Sequence, residues 1–380
     1  MKSHGFDMNG PFKGQIVNSL PEITAEDEAK EVMYNDERYY CDGTSWINYS
    51  SGSGSLASYS IGDLDDVTIT DPQTGDELIY DSDTSQFINY TALGGQNYGY
   101  VIGGITSVNI STIDRITFPF DSGTSSAVGN LSVINYGQAG FNSSNYGYAA
   151  NGIVERITFP FDSGTATNVG SLSVARFYTI GCNSSDYGFA MGGGSLSLVD
   201  RLTFPFDSGT ASNVGNLTVD KLYNSSFNSS THGYVPGGYS GGGISTIDRI
   251  TFPFNSGTAN GVAKIGIARY STAGCNSSTY GFTMAGFPPY TTRVDRLTFP
   301  FDSGTTSAVG NMIANRASVP AGCNSTDYGF CMGGGVPNIS SIERITFPFD
   351  SGTAVHVGDL SQSRHSVGGT DGTDFTSLFV

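Results

Sequence analysis

The chain has 380 residues, of which 52 are glycine and only 13% are charged, against roughly 25% charged in a typical soluble protein. That balance speaks against a helical protein, while 12% aromatic and 38% apolar residues offer enough burial to exclude wholesale disorder. The formal charge of −17, with no Lys/Arg cluster to offset it, argues against a nucleic-acid partner.

The charge is unevenly spread. Residues 1–90 hold 17 acids against Lys2, Lys13, Lys30 and Arg38, a net of −13, whereas residues 91–380 hold 17 acids against 13 bases. This step marks a boundary near residue 90. Met1 to Gly14 contains no apolar stretch resembling a signal peptide, and no run of ~18 apolar residues occurs, so neither classical secretion nor membrane insertion is expected.

In chain order, two short modules come first, 1–60 and 61–90. The first contains Val32-Met33-Tyr34-Asn35 and then Tyr39-Tyr40-Cys41-Asp42-Gly43-Thr44-Ser45-Trp46. The second runs from Val67-Thr68-Ile69 through Leu78-Ile79-Tyr80-Asp81 to Phe87-Ile88-Asn89. Each reads as a strand-turn-strand unit, and Thr24 with Asp27 makes a weak capping box for a brief helix before Val32. Pieces of about 30 residues lack a core that stands alone, so association with other copies, as a homo-oligomer, or with a partner is expected.

From residue 91 the chain repeats itself. The string acidic-Arg-Ile/Leu-Thr-Phe-Pro-Phe-Asp/Asn-Ser-Gly-Thr begins at Asp114, Glu155, Asp200, Asp248, Asp295 and Glu343, at intervals of 41, 45, 48, 47 and 48 residues. A second string, Tyr/His-Gly-Tyr/Phe, begins at Tyr98, Tyr146, Tyr187, His232, Tyr280 and Tyr328. In the first copy Ile116, Phe118 and Phe120 share one face at the two-residue period and Arg115 and Thr117 the other, after which Asp121-Ser122-Gly123 supplies a turn. With Tyr98 to Ile102, and an apolar stretch before Asn142-Ser143-Ser144, each unit resolves into four antiparallel strands, a to d.

Six units too thin to bury their own faces fit an all-β propeller, in which blades pack around a channel and closure removes exposed edges. The pattern resembles the Kelch repeat, in which a di-Gly ends strand b, an acidic residue opens strand c and a basic residue begins strand a; Gly192-Gly193, Asp200 and Arg176 match. The Trp usual on strand d is absent, with Ala211, Ser212 and Asn213 in its region. Six blades are expected; seven, with a last blade shared between the termini, is the alternative. Gln86 to Gly95 is available as strand a of the first blade, and Ser363 to Val380 holds material for one or two strands.

Length variation lies in the b–c loop: from the repeated Tyr or His to the acidic-Arg pair the spacing is 16, 9, 13, 16, 15 and 15 residues. Variation confined to one rim of a rigid scaffold is how repeat proteins present binding surfaces, although drift in a tolerant loop gives the same pattern. Tyr239, Phe287 and Tyr290 are aromatics in these loops, suited to stacking on sugar rings or to packing down their own loop, and Arg293 ends one of them. Before strand a come Asn135, Arg176, Lys221, Arg269, Arg316 and Arg364, whose five cations are expected at the same rim. There they either meet an anionic ligand such as an acidic glycan or pair with blade acids. The repeated acidic-Arg pairs themselves read as structural.

Cys182, Cys275 and Cys323 share a repeat position with Phe141 and Phe227, and Cys331 stands where Val101, Ala149 and Ala190 stand, so burial is expected rather than disulfides. Four histidines without ligand spacing, Gly238-Tyr239-Ser240-Gly241-Gly242 without a strand-to-helix elbow, and Asp-rich Asp63–Asp66 and Asp371–Asp374 without a full ligand series carry no catalytic or metal signal. Neither an enzyme nor a cofactor is expected.

The strand before Tyr39-Tyr40-x-Asp-Gly-Thr-Ser-Trp, the segment from Asp65-Asp66-Val67 to Tyr80-Asp81-Ser82, and the Asp-Arg-Ile-Thr-Phe-Pro-Phe-Asp-Ser-Gly-Thr blades are similar to modules of tail-fibre and other virion structural proteins of tailed bacteriophages, notably marine ones. The resemblance spans nearly the whole chain. It implies that residues 1–90 attach to other virion proteins and that the propeller is an exposed part contacting a host-surface glycan or protein, on a particle built in the host cytoplasm. The alternatives are a purely architectural virion component and, behind it, a propeller enzyme acting on polysaccharide.

Overall fold

The computed structural model describes residues 98–371 throughout, together with strand segments between residues 15 and 90. The chain divides into two compact units, Met1–Thr91 and Ala92–Val380. In the first, Gln15–Ile16, Glu31–Tyr34, Glu37–Cys41 and Trp46–Asn48 form one sheet, and Val67–Thr68, Glu77–Asp81 and Gln86–Tyr90 form another. The helix expected at Thr24 and the Asp63–Asp66 stretch lie outside the described residues.

The second unit is a six-bladed β-propeller of four-stranded antiparallel sheets. The third blade shows the pattern: strand a Ile180–Asn183, b Tyr187–Met191, c Leu198–Thr203 and d Ser212–Asn216. Ring closure differs from the expectation for residues 86–95. Strand a of the first blade is Gly368–Asp371, paired antiparallel with Tyr98–Ile105, so both ends of the unit share one blade. Gln86–Tyr90 is instead the central strand of its own three-stranded sheet, which leaves it no free edge to offer.

The repeated motif works because strand c alternates its faces. In the first blade buried Asp114 accepts from the N–H and hydroxyl of Ser361, on the connection arriving from the sixth blade, at 2.8 and 2.7 Å. Arg115, next along, points the other way and clasps Asp162 of the second blade. One dipeptide thereby ties a blade to both neighbours. The clasp recurs as Arg156–Asp207, Arg249–Asp302, Arg296–Asp350 and Arg344–Asp121, the last closing the circle, while Arg201 meets Asn255. Each Arg but one also lies over the first Tyr of its strand b, with guanidinium carbons 4.2–4.6 Å from the ring centroid. In all six blades the c–d pairing slips its register by one residue beside the acid, a bulge that re-aims the chain there.

Between blades, the core is built from the second aromatic of strand b, the Phe-Pro-Phe segment and the apolar residue of strand a. Tyr100 stacks on Phe159 of the next blade at 5.4 Å, and its hydroxyl accepts from the Phe161 N–H at 3.0 Å. The Gly of each Tyr-Gly pair is required by this packing, because a Cβ on Gly188 would collide with Phe141 and one on Gly329 with Cys275. The four described cysteines are buried and free, and burial pushes the Cys331 thiol up to about 12.

Candidate functional site

The two ends of the propeller differ in what lines the channel. At the end formed by the a–b turns stand Asn142, Asn183, Asn228, Asn276, Asn324 and Asp371, one from each blade. The side-chain oxygens of Asn183, Asn276, Asn324 and Asp371 accept from backbone N–H groups of the neighbouring blade, as in Asn324 N–H to Asp371 Oδ2 at 2.9 Å. The waist beyond them is Gly140, Gly181, Ser226, Gly274, Gly322 and Gly369, where adjacent backbones approach too closely for a Cβ at any of the five glycines.

The opposite end carries the b–c loops and the connections leading into strand a. Backbone bonds knit them together: Arg176 N–H to Asn151 O at 2.8 Å and Gly193 N–H to Lys221 O at 2.9 Å. The five cations expected at this rim do lie at this end, but they are withdrawn from it. Arg176, Lys221, Arg269, Arg316 and Arg364 are at most 3% exposed. They pair with Asp200, Asp248, Asp295, Glu343 and Asp114 at 2.9, 3.6, 2.6, 2.8 and 3.0 Å. Most of their remaining donors bond backbone carbonyls, with Arg176 Nε and Nη2 on the Gly192 and Ala190 carbonyls at 2.7 and 3.0 Å, while Arg316 Nε and Arg364 Nε find no partner among the described residues. Burial, only partly opposed by the Asp248 charge, pushes the Lys221 ammonium down to about 8. An anionic ligand therefore meets none of these charges, which complete the blades. Arg293 is similarly engaged, its Nε and Nη2 on Asp295 Oδ1 at 2.9 and 2.6 Å.

One blade breaks this scheme. Asn135 occupies the cation's position, bonding Asn151 at 2.8 Å, and leaves Glu155 buried without a counter-charge. Glu155 Oε1 accepts from the Ser132 N–H at 2.5 Å and Oε2 has no hydrogen-bond partner among the described residues; burial, only partly opposed by the Ser132 hydroxyl and the Ser132 and Val133 N–H groups, pushes the carboxyl above the usual glutamate range.

Just past the buried cations the backbone turns left-handed once in every blade, at Gly137, Tyr178, Tyr223, Ser271, Val319 and Ser366, with φ between 33° and 61°. Five of these are not glycine, at a cost of about 1–2 kcal/mol each. The turn presents the residues around it to the channel mouth. Here the blades disagree: the residues are Phe177 and Tyr178, Leu222 and Tyr223, or Tyr270 and Ser271 on one side, and Ala317 with Ser318 or His365 with Ser366 on the other.

The aromatic members join into a crescent. Tyr178 meets Tyr136 at 5.8 Å and Tyr223 at 4.2 Å between ring centroids. Tyr223 continues to Tyr270 at 6.0 Å, and Tyr239 stands edge-on to Tyr270 at 5.2 Å. Phe287 prolongs the line from Tyr270 at 5.7 Å, and Tyr290 from Phe287 at 4.7 Å. At the other end Phe177 stacks on Tyr136 at 5.2 Å. The terminal members, Phe177 and Tyr290, are 50% and 57% exposed. The centre opens into a cavity of about 440 Å³, walled by Tyr178, Tyr223, Tyr239 and Tyr270 on one side and by Ser318, His365 and Ser366 on the other. Burial raises the Tyr178 and Tyr270 phenols and lowers His365, so all three are neutral near pH 7.

Of the residues singled out from sequence, Tyr239, Phe287 and Tyr290 come together in the crescent, while Arg293 and the five cations do not contribute charge to it. Tyr136, Phe177, Tyr178, Tyr223 and Tyr270 were not anticipated. Their signal was present as the positions one and two beyond the basic residue, where the otherwise regular repeats disagree. Ser240, of the Gly-x-Ser-x-Gly string in the b–c loop, donates to Asp220 on the connection into the same blade at 2.6 Å. Among the described residues no three His, Cys, Asp or Glu side chains gather into a metal site. No family model matches the sequence, and no curated protein matches it.

Proposed function

We propose that this chain is a non-enzymatic virion structural protein of a tailed bacteriophage, whose propeller adheres to host-surface carbohydrate through the aromatic mouth while residues 1–90 attach to other virion proteins. The observation that carries the adhesive role is the crescent of aromatic side chains at the one end where the blades differ. Aromatic faces stack on the C–H faces of sugars with little entropic cost, since each side chain has only two torsions to fix. The placement on a phage particle rests on the sequence resemblance of the N-terminal modules and blades. Weak single contacts suffice, because many copies on one particle multiply avidity.

A second reading, that this end docks on a neighbouring particle protein, is favoured by exposed aliphatics on the same connections, Val133, Ile134, Val174 and Ile313. The test is binding of the full chain, clustered on beads, to host envelopes. Wild-type protein should be retained and the double variant Tyr223→Ala/Tyr270→Ala should not. Equal retention of both, or of neither, removes the adhesive reading. Imaging the particle separates the second reading, which requires this end to be buried against another subunit.

A further inference from the structure

Resting on the carbohydrate reading above, we infer that the ligand is an uncharged polysaccharide, bound along the run of its chain and not at a charged or terminal sugar. Three observations carry this. The first is charge. Among the described residues no Asp, Glu, Lys or Arg lines the cavity at the mouth. The nearby charged groups are already engaged: the five buried cations by carboxylates, Arg293 by Asp295, and Asp220 by the Ser240 hydroxyl. A carboxylated or sulfated sugar would shed hydration here without gaining a counter-charge, which is costly.

The second is the division of the walls. Facing the tyrosines are Ala317, Ser318, Val319, His365 and Ser366, of which the two serines carry hydroxyls able both to donate and to accept and His365 an imidazole whose Nδ1 lies 2.9 Å from Ser366 Oγ. That pairing of an apolar wall with a hydroxyl wall matches a neutral pyranose, which has a C–H face and a hydroxyl periphery.

The third is extent. The cavity takes in only the central tyrosines, but the crescent runs on in both directions, to Phe177 and to Tyr290. A single terminal sugar would leave these outer rings unused. An extended chain covers them.

The test measures binding of the full chain to neutral oligosaccharides of increasing length (a glucan, a galactan and a mannan series) and to a polyuronate and a sulfated polysaccharide, at ~0.05 and ~0.5 M salt. Expected is binding of at least one neutral series that tightens with length and changes less than about twofold with salt. Tyr223→Ala should weaken every length by about tenfold, whereas Tyr290→Ala should weaken only the longer ones. Binding confined to the acidic polymers, weakening in salt, overturns the inference and leaves adhesion standing. Full affinity for a monosaccharide overturns the extended mode. Failure to bind any glycan, even with the protein clustered on beads, overturns the carbohydrate reading itself.

Discussion

Each strand-c arginine reaches the same position of the next blade, yet no two blades bring the same pair of residues to the channel mouth. The clasps and buried ion pairs answer a demand that recurs at every step around the circle: hold one sheet against the next at a fixed angle. A sixfold demand has a sixfold answer, and the acidic-Arg dipeptide supplies it by facing two neighbours at once. The mouth is under no such demand. Its left-handed turns recur, but the side chains they display run from Phe and Tyr to Ala, Ser and His. Repetition marks the scaffold, and individuality sets apart the surface to which we assign binding.

The most severe way to break the scaffold is at its closure. Deleting residues 366–380 removes the strand Gly368–Asp371 and strips Tyr98–Ile105 of one of its two partners. The expected result is loss of the cooperative thermal transition and aggregation on size-exclusion chromatography, since an open propeller exposes both an edge and a blade face. A monodisperse variant with the parental melting temperature would show that closure contributes little.

Next comes the contrast between the buried and exposed members of the acidic-Arg network. Arg176→Ala leaves Asp200 buried without its cation and should cost about 3–5 kcal/mol in denaturant unfolding. Arg115→Ala breaks a clasp whose acid is 65% exposed and should cost less than about 1 kcal/mol. Equal costs would mean that burial does not separate the two layers.

At the mouth the expectation reverses. Tyr223→Ala/Tyr270→Ala should abolish adhesion to host envelopes and weaken glycan binding at least about tenfold, with little change in melting temperature, because both rings are half-exposed. A large loss of stability instead would assign the crescent to the scaffold.

Glu155 sharpens the comparison from inside the scaffold. Its carboxyl titrates above the ordinary glutamate value in the folded chain, so between those two values the folded state holds more protons than the unfolded one. Its contribution to stability is therefore full below the unfolded value, about 4.3, and is lost as pH rises through the folded one. Glu155→Gln should flatten that decline in a series of unfolding curves from acid to neutral pH; an unchanged slope would mean the carboxyl is compensated. Smallest of all, Asn255→Asp restores the sixth charged clasp opposite Arg201 and should add only about 0.2–1 kcal/mol, less in high salt.

The blades were legible because their motifs carry strand periodicity, turn chemistry and self-similarity together, and the Cys-for-Phe exchange on strand a correctly signalled burial. Closure was legible only in part: Ser363 to Val380 was expected to hold a strand, but Gly368-Gly369-Thr370-Asp371 has no apolar residue to mark it as strand a of the first blade, a place it takes beside Tyr98–Ile105. The five cations were placed at the right end, with an anionic ligand and the blade acids both open as partners, and the structure gives the acids: sequence spacing locates an α-carbon, but whether a long side chain folds inward depends on the carboxylate waiting there. The tyrosines of the mouth were hidden for the opposite reason. In a chain with 21 Tyr and 24 Phe, aromatic residues read as core, and only the left-handed turn turns these outward.

The central claim, that the irregular end is the one that binds, is tested most directly by determining the structure of the full chain with a neutral oligosaccharide at saturating concentration. Sugar rings lying against Tyr178, Tyr223 and Tyr270, with hydroxyls toward Ser318 and Ser366, are the predicted result. Sugar at the asparagine-lined end or on the outer strands, with the crescent bare, would contradict it.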